Sequence, residues 1–254
     1  MSFWLHFRRG GIHMKRLLIL AALASAVDAA TVRPALAAVA SPRVDLVAAK
    51  HVEPAPAAKL LEVSKSAALE TLLLLAFLRA AAEVVSRASG ERSKFWIGQL
   101  AWVVVVQGSS RLQGYMQSNT QTLSPEWYDK LEKPNWNPPA WLFPVMWIPI
   151  KLAQTAAAGI TWRALGHRTF SAAPVVMFLL HLSLGDIWNV QFFLKQRKLT
   201  GLLVIYTFWA ALIASAVLIG RTSLLAGALV APGVAWVAVA AALNLDIWYL
   251  NRHT

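Results

Sequence analysis

The sequence predicts an all-α integral membrane protein, built as a bundle of five transmembrane helices. Apolar residues make up 57% of its 254 residues and charged residues only 14%, whereas soluble domains average about 45–50% and about 25%. Five long apolar stretches follow residue 94, and about 20 apolar residues are enough for one helix to cross a bilayer. With so few charges to face water, most of the exterior is expected to contact lipid.

Residues 1–44 are predicted to be a targeting segment, either a signal peptide or an organellar transit peptide. Their one acidic residue is Asp28, and the apolar run at 17–27 follows Lys15 and Arg16. That run is too short to cross about 30 Å of hydrocarbon at about 1.5 Å per residue. An acid-poor composition rich in Arg and Ala is typical of transit peptides. We therefore expect the membrane of a eukaryotic organelle, with plastid or mitochondrion favoured over the endoplasmic reticulum and secretory pathway.

Residues 45–93 are interpreted as an extension outside the main fold. A linker that contains two prolines precedes the apolar run at 72–78, which Glu70 and Arg79 flank. Charges at this spacing predict an amphipathic helix, and such a helix lies on a surface and does not cross a bilayer.

Residues 94–254 are predicted to form the membrane domain. Its five spans are predicted at 95–116, 139–164, 171–193, 200–219 and 224–250. The connections after the second, third and fourth spans are short, so neighbouring helices should pack antiparallel in an up-and-down bundle. The connection at 117–138 alone is long enough to do more than turn.

The net charge of +12 does not indicate a nucleic-acid partner. Basic residues are spread along the chain and form no dense patch of the kind that follows phosphates. Lys and Arg at helix ends are ordinary in membrane proteins. The absence of Cys excludes disulfides and thiolate metal sites.

A dense Trp and Pro motif covers the long connection and the start of the second span. Residues 133–141 read Lys-Pro-Asn-Trp-Asn-Pro-Pro-Ala-Trp. Pro139 can begin a helix there, because its missing N–H would be unpaired at that position anyway. The third span ends in Trp-x-x-x-Phe-Phe at 188–193, and the fifth carries Pro232 and Trp236. In this order, on five spans, the motifs resemble the signature of the translocator protein or tryptophan-rich sensory protein family (TspO/MBR), over residues 95–251.

The resemblance implies a membrane receptor or carrier, usually a homodimer, that binds porphyrins, haem and sterols between its helices. The long first loop would act as the lid of this pocket. Protoporphyrin IX or haem would be a ligand, with no required cofactor, and the role would lie in tetrapyrrole homeostasis, transport or stress response. Two alternatives stay open, namely a transmembrane transporter of porphyrin or sterol and a light-dependent porphyrin-degrading activity. The spans carry no nucleophile triad, carboxylate pair or phosphate loop, so hydrolysis or phosphoryl transfer by the protein itself is not expected.

Helical spacing selects the candidate ligand-binding residues. Each candidate face combines an aromatic ring with a polar group, and two of them add a glycine, at 185 and 233. A flat ligand needs this combination of stacking surface, orienting group and space, although aromatic residues also serve as ordinary bundle packing. The predicted set, which includes two residues of the loop mouth, is Trp136, Trp141, Trp147, Lys151, His181, Trp188, Trp236 and Asn244.

Polar side chains inside the spans indicate a functional site more strongly than the aromatic residues do. Inserting a charged side chain at mid-depth in the membrane costs roughly 2.5–3.5 kcal/mol. Lys151 is placed to pair with Asp186 or with a porphyrin propionate, and His181 is a candidate haem ligand. The alternatives are a purely structural ion pair and a hydrogen-bonded core histidine. By our alignment the family commonly has Tyr, Gln, Asn and Tyr at the positions of Lys151, His181, Gly185 and Gly233, so ligand preference is expected to differ here.

Overall fold

The computed structural model describes residues 56–116 and 125–253. The targeting segment predicted at residues 1–44 lies outside them. The helices are α1 (Pro56–Arg87), α2 (Glu91–Met116), α3 (Pro125–Lys130), α4 (Leu142–Ala164), α5 (Ala173–Asn189), α6 (Lys198–Thr222) and α7 (Leu224–Leu250). A π-helical turn, Val190–Leu194, continues α5.

Five long helices form the bundle, as the sequence predicts. The helix α7 packs against α6 and α4, α5 packs against α6 and α2, and α2 packs against α4. Three of the described helices are long and apolar enough to cross a membrane by length and composition, namely α5 with its π-helical turn, α6 and α7. We call the end of the bundle that carries α3 the α3 end, and the end that carries residues 165–172 the turn end.

The start of α4 differs from the prediction. The structure begins the helix at Leu142, three residues after Pro139. The N–H of Asn137 donates to the carbonyl of Pro134 at 3.0 Å, and the N–H of Leu142 donates to that of Pro139 at 2.9 Å. The proline-rich segment therefore forms two successive chain turns before the helix. Pro139 lies in the second of them and not at the first position of α4.

The helix α1 packs against the bundle, although the sequence places residues 45–93 outside the main fold. Its Glu62 pairs with Lys195 and Arg197 just beyond α5, and Thr71 Oγ1 donates to Ser183 Oγ at 3.1 Å. Numbers that rise along α1 meet numbers that fall along α5, so the two helices are antiparallel. Apolar side chains of α1 join the same core, including Leu74, Leu75 and Leu78. Sequence periodicity predicts the apolar face of α1 but not the surface that it covers.

Candidate functional site

Asn251, directly after α7, fastens the loop that follows α3. Its Oδ1 accepts from the N–H of Glu132 at 3.0 Å, and its Nδ2 donates to the carbonyl of Glu132 at 2.8 Å. The same Nδ2 donates to the carbonyl of Ile247 at 2.8 Å. Asn251 is buried, and its side chain ties both backbone polar groups of Glu132 to the end of α7.

Aromatic rings hold α3 against the end of α5. Trp127 meets Phe192 edge-on, with 5.5 Å between the ring centroids, and Tyr128 contacts both Phe192 and Phe193. Burial raises the pKa of Tyr128, and Asp129 raises it further, so the phenol stays neutral. We call α3 together with residues 131–138 the lid.

Trp136 of the lid reaches α7. Its indole Nε1 donates to Asp246 Oδ2 at 2.9 Å, which gives the lid a second polar attachment beside Asn251. Trp136 nevertheless keeps 43% of its surface exposed, and Trp141 keeps 64%. The structure therefore places both tryptophans at the rim of the α3 end, where aromatic residues are common at membrane surfaces.

Trp188 of α5 and Trp236 of α7 are both buried inside the bundle, and each contacts a neighbouring helix. Trp188 Nε1 donates to Asn244 Oδ1 at 3.1 Å, and both residues are buried. The ring of Trp236 lies edge-on against Phe143 of α4, with centroids 5.8 Å apart. The indole Nε1 of Trp236 is buried and has no hydrogen-bond partner. These residues form the candidate ligand site, and it contains aromatic faces, one amide and one unused donor.

Trp147 of α4, another predicted aromatic residue, is half-buried and packs against the apolar core of the bundle.

The two glycines do not leave open space in this structure. A Cβ at Gly185 would lie 3.2 Å from the ring of Phe208, and a Cβ at Gly233 would lie 2.9 Å from Gln154 Nε2. Both glycines therefore serve close helix packing here, and the expected room beside them is filled by the neighbouring side chains of α6 and α4.

His181 lies against α6. Its ring stacks on Phe208 with centroids 6.1 Å apart and planes 9° apart, and meets Phe178 edge-on at 4.5 Å. The residue is 1% exposed, and its Nδ1 has no hydrogen-bond partner. Ligation of haem iron by His181 would require at least one of these two rings to move.

The charge of Lys151 acts on Asp186 of α5, as the sequence suggests. No ion pair within 4.0 Å joins the two side chains among the described residues.

Three residues that sequence patterns did not identify complete the site. Asp246 anchors Trp136, Phe143 contacts Trp236, and Asn251 fastens the lid. The position of Asn251 just after a long helix was a usable signal, because Asn is a common residue at helix ends. Among the described residues, no group of three His, Cys, Asp or Glu side chains is placed to hold a metal ion.

Comparison with known proteins agrees with this arrangement. A model described as the TspO/MBR family matches residues 100–250. Protein CrtK of Rhodobacter capsulatus is 33% identical over 125 residues, which cover 49% of this chain and 78% of that protein. The tryptophan-rich protein TspO of Chlorobaculum tepidum is 34% identical over 129 residues, 49% of this chain and 79% of that protein.

The human translocator protein is 30% identical over 127 residues, which cover 50% of this chain and 75% of that protein. The family match begins after α1 and contains Trp136, Phe143, Trp188, Trp236 and Asn244. The chain therefore belongs to the TspO/MBR family, whose fold is a bundle of five transmembrane helices, here α2 and α4 to α7.

Proposed function

We propose that the chain is a membrane receptor or carrier that binds a tetrapyrrole, such as protoporphyrin IX or haem, between α4, α5 and α7 beneath the lid. The unused indole N–H of Trp236 is the observation that carries this proposal. A buried donor without a partner costs about 1–3 kcal/mol, so a ligand that offers an acceptor there gains affinity by satisfying it. Nitrogen and carboxylate groups of a porphyrin are such acceptors.

The shape of the site supports a flat ligand. Trp188 and Trp236 supply large aromatic surfaces from α5 and α7, and Asn244 adds a polar group beside Trp188. A porphyrin ring is flat and apolar, while its propionates are anionic. The propionates would point to the α3 end, where Lys130 and Lys133 of the lid region lie. Sterols, the second ligand class, share the flat apolar body but offer a single hydroxyl.

Titration of the purified chain with protoporphyrin IX tests the proposal. We expect saturable quenching of tryptophan fluorescence. Trp236→Phe keeps an aromatic side chain but removes the indole N–H and part of the stacking surface, so it should weaken binding by at least about 5-fold, the equivalent of one hydrogen bond of about 1 kcal/mol. Trp96→Phe, at the turn end near the start of α2, is the matched control and should leave the affinity unchanged. Quenching that never saturates would contradict the proposal, and so would equal effects of the two substitutions.

The oligomeric state and the membrane location are proposed from the sequence. We propose a homodimer in the membrane of a eukaryotic organelle, with plastid or mitochondrion favoured. The support is the acid-poor composition of residues 1–44 and the resemblance described above.

A further inference from the structure

Glu70 carries an acid from α1 into the interior of the bundle. It is 0% exposed, and neither oxygen of its carboxyl group has a hydrogen-bond partner. Residues 66–78 contain no other charged side chain. An ionised carboxylate without a partner is strongly disfavoured in such surroundings, so the groups that face Glu70 decide its state.

The helix α1 extends along the full height of the bundle. Glu62 contacts Lys195 and Arg197 at the α3 end, and Thr71 bonds to Ser183 midway. At the turn end, residues 82–86 of α1 line a cavity of about 490 Å³ together with residues 166–171.

The outer side of α1 is apolar in its middle section. The side chains exposed there include Leu69, Leu72, Leu73 and Phe77, whereas Lys65 and Arg79 lie nearer the two ends. The helix α5 beside it is apolar enough to cross a membrane. The apolar outer face of α1 thus continues the apolar exterior of the bundle.

Three other helices place polar groups beside Glu70, and together these groups form a buried polar cluster. Asp186 of α5 faces Glu70, and its buried Oδ2 has no hydrogen-bond partner. Ser109 of α2 lies beside Asp186, with its hydroxyl buried and also without a partner. Lys151 of α4 is the cation that acts on Asp186. The bond from Thr71 to Ser183 fixes the register that brings Glu70 to this position.

The charges of this cluster do not balance unless one proton is added. Two carboxylates and one ammonium sum to −1, and two facing carboxylates repel each other, so that one of them takes up a proton. We propose that Glu70 and Asp186 bind one proton between them, forming a buried proton-binding site in the interior of the bundle that α1 completes. A metal ion fits less well, because the ammonium of Lys151 would repel it and no third acidic, His or Cys side chain joins Glu70 and Asp186 among the described residues.

Infrared spectroscopy of the full chain in nanodiscs at neutral pH detects the proton directly. We expect a carbonyl band of a protonated carboxyl group, which exposed acids do not give because they are ionised at this pH. Glu70→Gln should remove the band, because Asp186 then faces only the charge of Lys151 and ionises. Asp186→Asn should shift the band without removing it, because Glu70 is buried, makes no ion pair among the described residues and loses only the carboxylate beside it. Glu62→Gln, at the α3 end, should leave the band unchanged. A missing wild-type band, a band that survives Glu70→Gln, or an unshifted band in Asp186→Asn would overturn a shared proton.

Introduced cysteines test the position of α1 in the same samples. The chain has no Cys of its own, so any disulfide must join the introduced pair. The pair Thr71→Cys with Ser183→Cys should form a disulfide on oxidation in the wild type and in all three variants. Leu72→Cys with Ser183→Cys should not, because Leu72 is on the outer side of α1. Failure of the first pair, or equal cross-linking of the second, would overturn the docking of α1 and with it the proton site.

Discussion

Replacement of Gly227 by Ala is expected to destabilise the bundle by about 1–3 kcal/mol, the range for overpacking a close contact. The helices α6 and α7 make the most extensive contact of any described pair. A Cβ at Gly227 would lie 2.7 Å from the Cα of Gly220 and 3.1 Å from its backbone nitrogen. Backbone atoms cannot rotate away as a side chain does, so the two helices would have to move apart.

Gly220, which faces Gly227, supplies the matched control variant. A Cβ at Gly220 would lie 3.9 Å from the nearest atom of α7, the Cα of Gly227, which is an ordinary contact. Gly220→Ala should therefore leave the thermal midpoint in detergent unchanged or raise it, since Ala favours a helix over Gly by up to about 1 kcal/mol. Gly227→Ala should lower it. Equal midpoints for the two variants would show that α6 and α7 do not approach as closely as described.

Replacement of Asn251 by Ala is expected to release the lid. The change removes the two hydrogen bonds to Glu132 and the one to Ile247. The N–H and carbonyl of Glu132 then lose their partners in a partly buried position, at a cost of at most about 1–3 kcal/mol each, whereas the carbonyl of Ile247 keeps the backbone N–H of residue 251. Amide hydrogen exchange at residues 131–138 should then rise well above the wild-type rate, and bound protoporphyrin IX should dissociate faster.

Arg252→Ala is the matched control for the lid, because this exposed neighbour contacts Tyr249 and not the lid. Its exchange rates at residues 131–138 should equal those of the wild type. If Asn251→Ala leaves those rates unchanged as well, Asn251 does not fasten the lid.

The transmembrane spans were predictable because their signal is local. The predicted stretches 171–193 and 200–219 match Ala173–Leu194 and Lys198–Thr222 to within three residues, and the last span matches Leu224–Leu250. Length and apolar composition alone define such helices. The predicted start of α4 at residue 139 was wrong. Residues 134–142 form two proline-rich turns, and the helix begins only at Leu142.

The site was only partly predictable, because its remaining features depend on contacts between helices. Spacing placed Trp188 and Asn244 each on the correct face, and the structure joins them. The same spacing suggested free space at Gly185, but a ring from α6 fills it. The position of α1 depends on partners more than a hundred residues away, such as Ser183, and no pattern within α1 identifies them.

Photo-cross-linking with a light-activated protoporphyrin derivative tests the central claim most directly. After illumination of the full chain in nanodiscs, peptide mapping locates the attachment points. We predict adducts on the segments that carry Trp136, Trp188 and Trp236, reduced when unmodified protoporphyrin IX is in excess. Adducts confined to outward-facing residues of α6, such as Leu203 and Ile213, and unaffected by the competitor, would contradict a tetrapyrrole site beneath the lid.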